Sequence, residues 1–198
     1  MSNQPRNIFA AILAAGDASR FGSTKQAAML DGVPLVRKAI ETAADVCGER
    51  VITIIGHDPE SVLGAVGAAP GFIVVNENYR DGLGTSIAVA AQTCRKYADA
   101  ILLLLADQPL VTAEHLQALI DNWSGADDEI VATAFANTLG PPVLFPSGSF
   151  SALAALAGDQ GARQVLRDSR FSIETVRFEA AAVDIDTPAD LASLPGGD

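Results

Sequence analysis

Six consecutive apolar residues, Ala100 to Leu105, carry no alternation of apolar and polar side chains. A strand of this kind has no face for water, so it belongs at the centre of a sheet covered on both sides. Shorter β-branched or apolar segments at 8–13, 51–55, 72–75, 129–134 and 174–178 fit strands as well, with a return at 143–145. Between them lie alanine-rich amphipathic stretches predicted as helices at 35–46, 60–66, 85–97, 115–123, 150–156 and 161–168. Pro34 stands at the start of the first helix, and Thr112 suits a cap before the helix at 115–123. A final short helix opens at Thr187-Pro188-Ala189-Asp190, where a capping box coincides with proline at the first helical position. Repeated strand-helix alternation implies an α/β domain: three layers, α/β/α, around a mostly parallel Rossmann-like sheet. No linker, repeat or low-complexity segment divides residues 1–198, so a single domain is expected.

Ligands of such sheets bind beyond the carboxyl ends of the strands. The segments after Leu13, Val75 and Leu105 are therefore the places to seek chemistry. Composition narrows the ligand: 24 acidic residues against 13 basic give a net charge of −11. That surface repels nucleic-acid backbones, and anion binding must rest on a local pocket of amides, a few cations or a metal ion. The two cysteines, Cys47 and Cys94, and two histidines, His57 and His115, form no zinc or disulfide pattern. Each is expected to be an ordinary packing, loop or helix residue. The longest apolar runs fall well short of about 20 residues, so no membrane segment is expected. The first run, after Arg6, only faintly resembles a signal peptide because Asp17 follows it at once, and a cytoplasmic location is expected.

After the first strand, Leu13-Ala14-Ala15-Gly16-Asp17-Ala18-Ser19-Arg20-Phe21-Gly22-Ser23-Thr24-Lys25 combines small residues, glycines and two cations. Such a loop lets backbone amides approach phosphate oxygens. It is not a Walker loop, since Gly22 is followed by Ser23 and not by lysine. It also lacks the second glycine of the dinucleotide fingerprint. Asp107 ends the strand at 100–105, where an uncompensated buried carboxylate would be costly. A ligand role suits it better than a turn-capping role. Asp184 and Asp186, two residues apart, would share one face if that segment were a strand. Asp190 belongs to the capping box.

The segment with Ser19, Arg20, Gly22 and Lys25 resembles the LAAGxxSRxGxxK signature of the MobA-like nucleotidyltransferases, whose fold is of the GT-A-like type. The likeness continues through Asn76, Tyr79, Gly82, Thr85 and Ser86, through Leu105-Ala106-Asp107-Gln108-Pro109, through Gly158-Asp159-Gln160-Gly161-Ala162-Arg163, and through Asp184-Ile185-Asp186-Thr187-Pro188. Reading Leu-Ala-Ala-Gly and not Leu-Ala-Gly-Gly, the chain is more similar to the MocA branch, the molybdenum cofactor cytidylyltransferases. The resemblance implies transfer of CMP from CTP to the phosphate of molybdopterin or molybdenum cofactor, with pyrophosphate released. It implies nucleotide contacts from Leu13, Ala14, Ala15, Gly16, Ser19, Arg20, Gly22, Lys25 and Asp107, with Lys25, Arg20 and Asp107 catalytic. It implies Mg²⁺ on Asp107 and Asp186, and acceptor contacts from Asn76, Gly82, Thr85, Ser86, Asp159 and Arg163. A molybdenum hydroxylase apoenzyme is the implied recipient of the product. Where the family commonly reads Gly-His-Pro, this chain reads Gly140-Pro141-Pro142. Two other readings stay open: transfer to a different phosphorylated acceptor, and a nucleotide- or pterin-binding accessory protein without transfer. An oxidoreductase using a dinucleotide is disfavoured by the failed glycine fingerprint.

Overall fold

The computed structural model describes residues 6–16, 21 and 24–194. Strand β1 (Ile8–Ala14) leads through a small hairpin, β2 (Met29–Leu30) and β3 (Val33–Pro34), into helix α1 (Leu35–Cys47). Then follow β4 (Val51–Ile55), α2 (Pro59–Val66), β5 (Phe72–Val75), α3 (Leu83–Cys94), β6 (Ala100–Leu105) and α4 (Ala113–Asp121). The second half comprises β7 (Glu129–Phe135), β8 (Thr138–Pro146), α5 (Phe150–Ala154), α6 (Arg163–Leu166), β9 (Ser172–Arg177) and α7 (Pro188–Ala192). Seven strands form one sheet in the order β5-β4-β1-β6-β8-β7-β9. Only β8 runs antiparallel to its neighbours β6 and β7.

The period of two along each strand divides the core. From β1, Ala10, Ile12 and Ala14 face the layer of α1, α2 and α4, whereas Ala11 and Leu13 face α3 and α5. In β6, Leu102 and Leu104 take the first side and Ile101 and Leu103 the second. Ile12, Leu102 and Leu103 are at most 1% exposed, and each such side chain contributes about 1.5–3 kcal/mol relative to remaining in water. The unbroken apolar run thus serves two helical layers at once. Among the described residues, no helix is long and apolar enough to cross a membrane.

Several sequence-based boundaries are corrected. The helix expected at 85–97 starts at Leu83 and stops at Cys94, because Gly82 supplies its N-cap and a turn occupies 95–97. The helix expected at 115–123 is Ala113–Asp121, with Thr112 accepting a hydrogen bond from His115 N as its cap. The two helices expected at 150–156 and 161–168 shrink to five and four residues. The return expected at 143–145 is the nine-residue β8; Pro141 and Pro142 fall in the register shift opposite Ala132 and Thr133, where no partner residue faces them, and Pro146 ends the strand. Asp184 and Asp186 lie in an irregular segment, not on a strand. The β2–β3 hairpin was not anticipated, although Asp31 and Gly32 adopt φ of 53° and 77°, the left-handed pair that an Asp-Gly hairpin turn requires.

His115 is 5% exposed. Thr133 Oγ1 donates to Pro142 O at 2.6 Å, so the same oxygen accepts from His115 Nε2 at 2.8 Å. The ring stacks on Phe178 with centroids 4.2 Å apart. Burial pushes its pKa down from 6.5 to about 4. Between these values the unfolded chain binds a proton that the folded chain excludes, so stability rises with pH across that window. Acidification from pH 6.5 to 4 removes up to about 3 kcal/mol through this ring. His115→Phe is expected to flatten that part of the stability profile in urea titrations at successive pH values. Parallel profiles for both proteins would refute the assignment.

Candidate active site

Parallel register brings four strand ends to one edge. Leu13 pairs with Leu105, Ala14 with Ile55, and Ile55 with Val75. The segments after β1, β4, β5 and β6 therefore emerge side by side. They border a cavity of about 340 Å³ lined by Leu13, Ala15, Gly16, Lys25, Gly82, Ser86 and Asp107, among others. Ala14 does not line it; its side chain is buried on the opposite face of the sheet. Ser19, Arg20 and Gly22 lie outside the described residues.

At the cavity's polar end, Lys25 Nζ donates to Asp107 Oδ2 at 2.7 Å and to Asp186 Oδ1 at 2.9 Å. These partners stand 82 and 161 positions away in sequence. Lys25 is positioned by the 3₁₀ turn Lys25–Ala27, and the neighbouring Gln26 Nε2 donates to Gly16 O at 3.0 Å, joining that turn to the end of β1. The 183–187 segment is held alongside by Ile185 N donating to Asp107 O at 2.9 Å. Gln108 Nε2 donates to Ala181 O at 2.8 Å and to Pro141 O at 3.3 Å, tying the turn just before that segment to β8. Thr187 and Asp190 complete the capping box of α7 immediately beyond.

The side chains of Lys25, Asp107 and Asp186 are 14%, 24% and 58% exposed. Burial alone would pull the Lys25 ammonium down, but Asp107 and Asp186 outweigh it and hold the ammonium above its ordinary pKa. Asp184 keeps an exposed surface, yet its carboxyl group is pushed up to about 6, first by partial burial and then by the Asp107 charge. Two carboxylates thus pair with one ammonium, and Asp184 lies near enough to feel the charge of Asp107. Asp107 Oδ1 is buried without a hydrogen-bond partner, so this oxygen has no protein donor to offset its desolvation.

Asn76 sits behind the cavity at 2% exposure. Its Nδ2 donates to Thr85 Oγ1 at 2.8 Å and Ser86 Oγ at 2.9 Å, and its Oδ1 accepts from Asn78 N at 3.0 Å. That amide fastens the loop after β5 to the first turn of α3. Gly82 and Gly84 allow residues 157–159 to lie directly on this turn, with Gly84 N donating to Gly158 O at 2.9 Å. Beyond them is a second cavity of about 610 Å³, lined in part by Asp159, Arg163, Gly140 and Pro141. It shares Leu13, Leu83 and Leu105 with the first. Arg163 Nε donates to Leu139 O at 3.2 Å.

Sequence reasoning overlooked Gln26, Tyr79's place against Gly56, and Asp184's closeness to Asp107. Gly56 lets the aromatic residue in: a Cβ there would lie 2.5 Å from Tyr79 Cβ. Gln26 follows Lys25 directly, so its position was readable, but its bond to Gly16 O depends on the turn. His57 lies edge-on to Tyr79, with centroids 5.9 Å apart. Both cysteines are buried, and burial pushes the Cys47 thiol up to about 11 and the Cys94 thiol to about 12, as expected of packing residues.

Residues 10–175 match the family described as the MobA-like NTP transferase domain. The chain belongs to that family. It is accordingly a nucleotidyltransferase. Purine catabolism protein PucB of Bacillus subtilis strain 168 is 29% identical over 92% of this chain and 93% of its own. The bifunctional protein GlmU of Anaeromyxobacter sp. strain Fw109-5 is 33% identical over 64% of this chain, a match spanning 27% of GlmU. Among solved structures, Rv0371c of Mycobacterium tuberculosis H37Rv in complex with manganese is 25% identical, with a TM-score of 0.73 over 87% of this chain and 89% of that one.

Proposed function

We propose that the protein transfers CMP from CTP to the terminal phosphate of molybdopterin or molybdenum cofactor. The observation carrying this reading is the convergence of Lys25, Asp107 and Asp186 at the head of a parallel sheet, next to a cavity floored by Leu13, Ala15 and Gly16. Small residues there leave room for a base, and the preference for cytosine rests on the Leu-Ala-Ala-Gly sequence at 13–16. Lys25 and Arg20 are assigned to the triphosphate, with backbone amides along 15–22.

The carboxylates fit a hard divalent ion. Asp107 has a buried oxygen with no hydrogen-bond partner, and Asp186 comes to the same point from another segment. Mg²⁺ takes one or two carboxylates and completes its shell with water and phosphate, a demand that two carboxylates from separate segments can meet. Asp107 and Asp186 would hold it. Bound there, Mg²⁺ supplies positive charge to the phosphates of the triphosphate and its leaving group.

An acceptor phosphate oxygen attacks the α-phosphorus in line; a new phosphorus–oxygen bond forms, the α–β bridging bond breaks, and its electron pair leaves with pyrophosphate. No protein nucleophile is needed, so the side chains act by positioning and electrostatics. The acceptor is placed in the second cavity, where Asp159 and Arg163 stand and where Asn76 and Thr85 keep the shared wall in position. The product is destined for a molybdenum hydroxylase. Pro141, at the usual histidine position and lining this cavity, favours a second reading in which another phosphate monoester is the acceptor.

Purified protein is mixed with molybdopterin and Mg²⁺ and supplied in turn with CTP, GTP, ATP and UTP. Pyrophosphate release is expected with CTP. Release with a different nucleotide overturns the base assignment. If none supports release while CTP still raises the melting temperature, as any ligand selective for the folded state does, molybdopterin is the wrong acceptor or transfer has been lost.

A further inference from the structure

One oxygen of each carboxylate that would hold a divalent ion is already engaged in the free protein. Lys25 Nζ lies 2.7 Å from one oxygen of Asp107 and 2.9 Å from one of Asp186. An ion coordinated at about 2.0–2.1 Å to those oxygens needs the space and the lone pairs that this ammonium now uses. We propose that Lys25 is an internal competitor of the divalent cation, holding Asp107 and Asp186 together as a placeholder and giving them up only when it moves away. The inference rests on the metal reading above and concerns when that site becomes available.

Three observations converge. The ammonium is shared between two carboxylates that no other protein cation approaches among the described ion pairs. One ammonium against two carboxylates leaves the cluster short of neutrality, and Asp107 Oδ1 has no hydrogen-bond partner. Lastly, Lys25 itself lines the first cavity beside Gly16, and its flexible four-carbon stem can carry the ammonium from carboxylates to phosphates. Triphosphate in that cavity offers Lys25 new acceptors and offers the ion further ligands, so the two bind cooperatively. By linkage each strengthens the other. While Lys25 holds one oxygen of each carboxylate, divalent ions bind only weakly without nucleotide.

The test is a titration with Mn²⁺ alone, read by electron paramagnetic resonance of the free ion, on the wild-type chain, Lys25→Met, Lys25→Gln, Lys25→Arg and Asp107→Asn. Without nucleotide, Lys25→Met and Lys25→Gln are expected to bind Mn²⁺ at least tenfold more tightly than wild type. Lys25→Arg retains the competing charge and should stay weak. Adding Asp107→Asn to Lys25→Met should abolish the gain. If Mn²⁺ binding depends on Asp107 but neither neutral Lys25 variant tightens it, the competitor role is wrong and the metal site stands. If binding is indifferent to Asp107 in every background, the metal reading fails and takes the inference with it; if it stays undetectable even in the neutral Lys25 variants, the competitor role is wrong. Having two neutral variants keeps the answer available if one does not fold.

Discussion

Replacing Asp107 with asparagine is expected to lower pyrophosphate release at least about 10²–10³-fold while leaving a folded protein, the loss typical of removing one electrostatic stabiliser from a transition state. The substitution keeps the shape of the side chain. It also keeps the backbone carbonyl that accepts from Ile185 N at 2.9 Å, so segment 183–187 stays against the end of β6. Lys25 retains Asp186 as a partner. What disappears is the charge at the innermost position of the acidic cluster. Because removal of one partner of a half-buried ion pair leaves its mate still paired here, the stability change should stay near about 1–2 kcal/mol. Asp186→Asn is expected to have a smaller effect, since the Asp186 side chain is 58% exposed and that of Asp107 only 24%. Steady-state release assays paired with thermal melts separate the two effects. An Asp107→Asn protein that releases pyrophosphate at the wild-type rate would remove Asp107 from the chemistry.

Gly82→Ala should be the most destabilising of the single-methyl additions considered. Gly82 has φ of 105° and ψ of 172°, a region that is essentially closed to side-chain-bearing residues. A Cβ would also lie 2.3 Å from the carbonyl carbon and oxygen of Gly158 and 2.7 Å from Asp159 N. These are backbone atoms, so no rotamer change relieves the contact. Conformational strain of about 1–3 kcal/mol adds to the cost of moving the 157–161 segment, for a total of at least about 3 kcal/mol. For a chain of this length that corresponds to a melting temperature lower by about 6–12 °C. Gly48→Ala is the control. Its backbone, at φ of 60° and ψ of −133°, is strained for a side-chain-bearing residue too, but nothing lies within 4 Å of an added Cβ, so it should cost only the conformational part, about 1–3 kcal/mol. Similar melting temperatures for the two variants would show that residues 157–159 do not lie on α3 as described. Since Asp159 and Arg163 stand on the far side of this contact, Gly82→Ala should also raise KM for the acceptor more than KM for the nucleotide.

Much of this architecture was legible because it is local. The unbroken run of β6 and the capping box at Thr187 and Asp190 each express interactions within a few residues, and both appear where expected. What went unread has a common cause. Strand β8 carries three prolines that depress any local strand signal, and only pairing on both sides makes it a strand. Helices α5 and α6 stop at Ala154 and Leu166, before their apolar pattern does. The inward turn of Asn76, which fully commits its amide to Thr85, Ser86 and Asn78, leaves no trace in the spacing of those residues.

By itself the sequence determined that a mostly parallel sheet would form, that Leu13, Val75 and Leu105 would end at its functional edge, and that Lys25, Asp107 and Asp186 were residues to watch. The tertiary structure alone decided that these three meet. Pairing Leu13 with Leu105 and anchoring Ile185 to Asp107 O bring one ammonium within 3 Å of carboxylates 82 and 161 positions distant. Charge and register must coincide for such a contact to form, and register is a property of the whole sheet, set by every buried pair along it.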